Sequence, residues 1–211
     1  MARKFDTGID GEQNGESVNG AAVNAGTKRR SLIGDSLTAL FAALTAAGAF
    51  IAIPLPFTPV PIVLQNLFAL LSGLVLGPVL GGAAVALYLL AGAIGLPVFA
   101  GAAGGVVHFL GPTGGFLFGY LLSAILAGLI AGSPRTGRQT PLWRLAAAAL
   151  AGMLILYAPG LLRLKAVLQA DWTKTLAAGL TPFLIGDAIK TVIAVIAARG
   201  LRKGAAKALH G

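Results

Sequence analysis

The sequence predicts an all-α integral membrane protein with six transmembrane helices and both termini on the cytoplasmic side. Of its 211 residues, 56% are hydrophobic and 11% charged, whereas a soluble domain carries roughly a quarter charged residues. From Arg30 to Arg199 the chain stays largely apolar, a stretch that accommodates about six spans at roughly 20 residues each with short connections. Its basic residues fall at alternate connections, the pattern that fixes orientation in a bilayer. Thirty glycines among abundant Ala and Leu favour closely packed helices over a lipid-facing barrel, whose strands would alternate apolar and polar side chains.

Residues 1–30 read as a disordered cytoplasmic tail: Gly11, Gly15, Gly20, Asn14, Asn19 and Asn24 punctuate it, and Asp6, Asp10, Glu12 and Glu16 lie in it. Lys28-Arg29-Arg30 followed by Ala47-Gly48-Ala49 mimics a twin-arginine signal, but five further apolar segments follow, so the first span is read as a membrane helix. The expected spans are Leu32 to Ile53, Pro61 to Leu76, Leu80 to Ile94, Pro112 to Ala131, Leu142 to Leu162, and Pro182 to Ala198, within a transmembrane domain over residues 31–200. The second and third are short for a bilayer and call for shielding by protein or extension by loop residues. Residues 201–211 form a basic cytoplasmic end. With a cytoplasmic amino terminus, the clusters at Lys28 to Arg30, Arg135 to Arg144 and Arg199 to Lys207 share one side; Arg163, Lys165 and Lys174 face the other. The net charge of +9 is then a topology signal directed at anionic headgroups, not a nucleic-acid footprint.

Three segments face outward. Pro54 to Val60 is proline-dense and favours a stiff polyproline-like path. Gly95 to Gly111 is glycine-rich yet apolar, and Arg163 to Thr181 completes the set. Apolar loops either pack back on the helix ends or cover an organic ligand.

Two charged side chains, Asp187 and Lys190, sit deep within a predicted span. Each costs about 2.5–3.5 kcal/mol at mid-membrane even on the mild insertion scale, so they must pair, line a wet cavity or serve a ligand. Three residues apart on a helix, they lie on one face within reach of each other. Gln65, Asn66 and Tyr88 are further polar groups that need partners. Gly111, Gly115 and Gly119 form a stripe suited to close helix approach, and the helix start at Gly114 and Gly115 could also receive a carboxylate. Ala39, Ala43 and Ala47 make a small-residue row on the first span, a docking face for another helix. With no Cys, two His and no Gly-x-x-x-x-Gly-Lys-[Ser/Thr] loop or catalytic carboxylate pair, neither catalysis, a metal site nor a cofactor is expected.

Five ordered segments carry a family resemblance: Pro56-Phe57-Thr58-Pro59-Val60-Pro61-Ile62-Val63-Leu64-Gln65, Gly73-Leu74-Val75-Leu76-Gly77-Pro78, Tyr88 to Phe99, Leu110-Gly111-Pro112-Thr113-Gly114-Gly115-Phe116, and Pro182-Phe183-Leu184-Ile185-Gly186-Asp187-Ala188-Ile189-Lys190. From about Ala39 to Arg199 the chain resembles the BioY family, the substrate-capture components of energy-coupling-factor biotin transporters. The resemblance implies six helices in the cytoplasmic membrane, biotin held near the outer face under the loops joining helices 1 to 2 and 3 to 4, and no chemical turnover. It implies partners as well: a transmembrane coupling subunit with ATPase subunits, docked through Ala39, Ala43 and Ala47. Asp187 and Lys190 match the family's polar pair, and Gln65, Tyr88, Phe99 and Gly105 match positions around its pocket. At Ala103 and Leu117 the sequence departs from Asn and basic residues found in some members, which leaves His108, Lys190 and the helix start at Gly114 and Gly115 as candidates for the carboxylate of the ligand.

Overall fold

The structure is a computed structural model that describes residues 9–137 and 139–210, with side chains from residue 28 onward except residue 210. Helix α1 spans Ile9–Phe50. The tail expected to be unstructured over residues 1–30 is thus helical from Ile9, continuous with the apolar stretch that starts at Lys28. Extending a helix already nucleated gains a hydrogen bond for each residue fixed, whereas a free peptide must first form the costly nucleus. Residues 1–8 of that tail lie outside the described residues.

A hairpin follows, β1 (Ala52–Leu55) against β2 (Thr58–Val63), in place of the expected polyproline-like path. Proline's φ lies in the broad extended region from which either form is drawn. The ladder is broken between Ile53 and Leu55, where Pro54 has no N–H to donate. Helices α2 (Gln65–Leu76) and α3 (Pro78–Ala93) come next. At 1.5 Å per residue they reach only about 18 and 24 Å, less than the roughly 30 Å hydrocarbon core. The expected shielding is present at α2, where every residue but Phe68 is buried.

A loop containing the short helix α4 (Val107–Leu110) leads to α5 (Gly114–Ala131). Helix α6 (Leu142–Leu168) runs through Pro159 and past the expected end at Leu162. A short helix α7 (Trp172–Gly179) follows, its first turn capped by Asp171, whose carboxylate accepts from the Lys174 N–H at 2.8 Å. Thr181–Phe183 form a 3₁₀ turn, so α8 (Leu184–His210) begins two residues after the expected proline start. It continues to His210, and the basic end is part of this helix. Among the described residues, four segments are both long and apolar enough to cross a bilayer: Lys28–Phe50, Gly114–Ala131, Leu142–Leu168 and Trp172–Leu209, which includes α8.

Packing is closest where side chains are absent. A Cβ on Gly115 would stand 2.1 Å from the Pro159 carbonyl oxygen, and one on Gly119 2.4 Å from that of Leu156. Between apolar helices in lipid, such approach supplies the dispersion contacts that hold the bundle, because burial from water contributes little there. At the far end of the bundle the buried Arg202 donates to the carbonyl oxygens of Leu74, Ala131 and Gly132. One guanidinium therefore satisfies the open C-terminal carbonyls of both α2 and α5 and ties them to α8.

Candidate binding site

The first turn of α8 carries Asp187 and, one turn on, Lys190, which pair at 2.9 Å with both side chains buried. Lys190 Nζ also donates to the Val63 carbonyl at 2.7 Å and to Asn66 Oδ1 at 3.2 Å. Asp187 Oδ1 accepts in addition from Asn66 Nδ2 at 2.8 Å, and Oδ2 accepts from the Tyr157 hydroxyl. All three ammonium protons are consequently used by protein groups. Of the three arrangements the sequence allows, the pair takes the first: protein partners alone satisfy the ammonium, and burial does not by itself call for a ligand. A carboxylate offers about four acceptor sites, so Asp187 retains one on Oδ2.

The pair forms part of the wall of a pocket bounded by β2, the start of α2, the α3–α5 loop, α5, α6 and α8. Val60, Phe99, Phe116, Leu117, Leu156 and Phe183 supply apolar surface; His108, Thr113, Tyr120 and Tyr157 supply polar groups. Phe99 is held by ring edges from Tyr88, His108 and Phe109 at centroid distances of 5.6, 6.0 and 5.6 Å. It also fills the space above Gly92, where a Cβ would lie 2.1 Å from the ring. The loop is fastened from α6 by Arg163, which donates to the carbonyls of Leu110 and Gly111.

Of the residues expected at the site, Asp187, Lys190, Gln65 and Phe99 line this pocket. Tyr88 stands behind it, fully buried, and holds Gln65 through the Gln65 Nε2 to Tyr88 hydroxyl bond. Gly105 is also off the wall: its φ of +98° makes the turn that lets its N–H reach the Gly92 carbonyl at 2.7 Å. Gly115 faces α6 and serves packing. His108, named for the carboxylate, lines the pocket, whereas Gly114 is buried against Phe109. Ala39, Ala43 and Ala47 are exposed in a row on α1 beside an apolar groove bounded by Phe50, Leu87 and Ala91. Tyr120 and Tyr157 also stand in the pocket wall; both carry hydroxyls within expected spans, the same signal that marks Tyr88 in the sequence. Among the described residues no group of three His, Asp or Glu side chains is placed to hold a metal.

An apolar helical bundle with several helices long and apolar enough to cross a bilayer, built around a pocket with polar groups in its wall, defines the chain as a multi-pass membrane protein. The sequence pattern of the BioY family matches residues 24–207. The biotin transporter BioY of Thermotoga maritima is 44% identical over 164 residues, covering 78% of this chain and 92% of its own. A probable biotin transporter BioY of Pyrococcus horikoshii is 40% identical over 167 residues, covering 79% and 94%. A crystal structure of the S-component for biotin from an ECF-type ABC transporter matches with a TM-score of 0.73 at 29% identity, over 82% of this chain and 92% of that one. The chain belongs to the BioY family.

Proposed function

We propose that this protein captures biotin for uptake across the cytoplasmic membrane, as the substrate-binding subunit of an energy-coupling-factor transporter, without altering it chemically. Supporting this reading are family membership, the likeness to an S-component for biotin, and a pocket whose polar groups suit the ligand. Biotin's bicyclic ring carries two ureido N–H donors and one carbonyl acceptor beside an apolar thioether ring. The spare acceptor on Asp187 Oδ2 takes a ureido N–H. The Tyr120 hydroxyl, which lines the pocket and makes no hydrogen bond among the described residues, donates to the ureido carbonyl. Phe99 and Phe116 cover the rings and the valeryl chain. With every Lys190 proton already used, the valerate carboxylate extends toward His108 on the loop side. The observation that carries this assignment is the placement of Asp187, Tyr120 and His108 around one pocket lined by aromatic and aliphatic side chains.

Six spans place both termini in the cytoplasm, with α2 and α3 crossing as short, protein-shielded helices. The exposed row of Ala39, Ala43 and Ala47 then receives a helix of the transmembrane coupling subunit, through which the ATPase subunits act. Equilibrium binding of labelled biotin to the purified protein, competed with a panel of other small vitamins, tests the substrate. The expected result is that biotin alone competes, that Asp187→Ala abolishes binding, and that Ala43→Leu blocks uptake in cells while leaving binding intact. Another vitamin competing better than biotin, or uptake that persists in cells lacking every coupling component, would overturn the corresponding part.

A further inference from the structure

The end of the molecule opposite the pocket carries a second hollow whose chemistry biotin capture does not use. It lies where the α5–α6 connection meets the last turns of α8, and Arg135, Arg199, Arg202 and Lys203 line it. Arg202 is committed to the backbone carbonyls of α2 and α5, as described above. Arg135, Arg199 and Lys203 are exposed and make no hydrogen bond or ion pair among the described residues, where the one ion pair is Asp187 with Lys190. The site is built and not splayed: the Thr136 hydroxyl donates to the Ala206 carbonyl at 3.3 Å, which pins the connection carrying Arg135 onto α8. Concentrated like charge of this kind is unfavourable unless an anion answers it.

We propose that this hollow binds the phosphate of an anionic phospholipid. Two features select a lipid over a soluble anion. Along α8, Arg199 and Lys203 are one turn apart, and the residues three and seven before Arg199 on the same face, Ile196 and Val192, are exposed and apolar, 66% and 59% accessible. That face presents cations above and hydrocarbon surface below, as a phospholipid presents phosphate above acyl chains. Beside the hollow, Trp143 at the start of α6 is 73% exposed next to Arg135 and Arg144. An exposed Trp flanked by basic residues marks headgroup depth, and basic pockets between helices at that depth suit anionic headgroups. The assignment rests on the six-span reading only for which leaflet supplies the lipid.

The test uses the full chain in phosphatidylcholine vesicles with a minor fraction of phosphatidylglycerol, and reads the relative association of spin-labelled phosphatidylglycerol and phosphatidylcholine. At about fivefold per basic contact, the wild type selects phosphatidylglycerol at least fivefold, and Arg135→Gln/Arg199→Gln/Lys203→Gln brings selectivity close to parity. Biotin affinity is unchanged in that variant, which shows that it folds. A control, Lys165→Gln/Lys174→Gln at the other end, keeps the selectivity. Selectivity that is absent in the wild type, that survives the triple substitution, or that falls equally in the control overturns the proposal. So does displacement of the labelled lipid by glycerol phosphate at millimolar concentration, which would make this a site for soluble anions. Labelling Gly137→Cys with an impermeant maleimide from each side decides the leaflet separately, so a failed topology and a failed lipid site give different results.

Discussion

Replacing Lys190 by Met removes the ammonium while keeping most of the side chain's length, and the structure states what is left behind. Three hydrogen bonds disappear, to Asp187 Oδ1, Asn66 Oδ1 and the Val63 carbonyl. Asp187 keeps donors from Asn66 and Tyr157 but loses its only cationic partner among the described residues. Stranding one member of a buried ion pair costs about 3–5 kcal/mol, whereas replacing both with apolar groups is often close to neutral. Lys190→Met should therefore be less stable than the wild type by about 3–5 kcal/mol. The double variant Asp187→Leu/Lys190→Met strands no charge and should be more stable than Lys190→Met, yet short of the wild type because Asn66, Tyr157 and the Val63 carbonyl lose partners. Reversible unfolding followed by tryptophan fluorescence in detergent checks the ranking, and biotin titration checks that both variants have lost binding. If Lys190→Met is destabilised by less than about 1 kcal/mol, or the double variant is the less stable, the network is not the closed, mutually dependent unit described above.

Removing the Arg202 guanidinium in Arg202→Met leaves carbonyls of α2 and α5 open. It should lower stability by about 1.5–3 kcal/mol, seen as a lower unfolding midpoint, with the biotin affinity of the folded fraction unchanged. Gly115→Val should abolish folded protein in size-exclusion chromatography, since even a Cβ meets the Pro159 carbonyl at 2.1 Å; a well-folded variant with weakened biotin binding would restore Gly115 to the site. Ser123 Oγ is a buried side-chain atom with no hydrogen-bond partner among the described residues, so Ser123→Ala should raise stability, by about 1 kcal/mol, in the same unfolding assay. His108→Ala should weaken binding of biotin and leave that of biotin amide nearly unchanged, measured by calorimetry; equal losses would place the carboxylate elsewhere.

The ion pair was legible because intramembrane charge is costly and a three-residue spacing can be read directly from the chain. Its partners were not. Asn66 stood out only as a polar group in an apolar run, and Tyr157 and the Val63 carbonyl come from elements 30 and 127 residues away, which no local pattern brings together. The spacing of Gly115 and Gly119 announced close packing but not whether a ligand or α6 would use it. Helix ends fared worst, as at Leu162, Ala198 and the tail before Lys28, because hydropathy marks where lipid ends and not where hydrogen bonding ends. The Pro-dense segment failed for a different reason. Proline restricts φ without choosing between a lone extended path and a paired one, and the partner strand lies on the far side of the turn.

A density map of the purified protein with biotin bound tests the site most directly. The ureido group is expected within hydrogen-bond distance of Asp187 Oδ2, with the rings against Phe99 and Phe116 and the carboxylate toward His108. Biotin lodged elsewhere, with Asp187 and Lys190 still closed on Asn66, Tyr157 and Val63 alone, would show that the pair is a structural clamp and the pocket beside it is not the capture site.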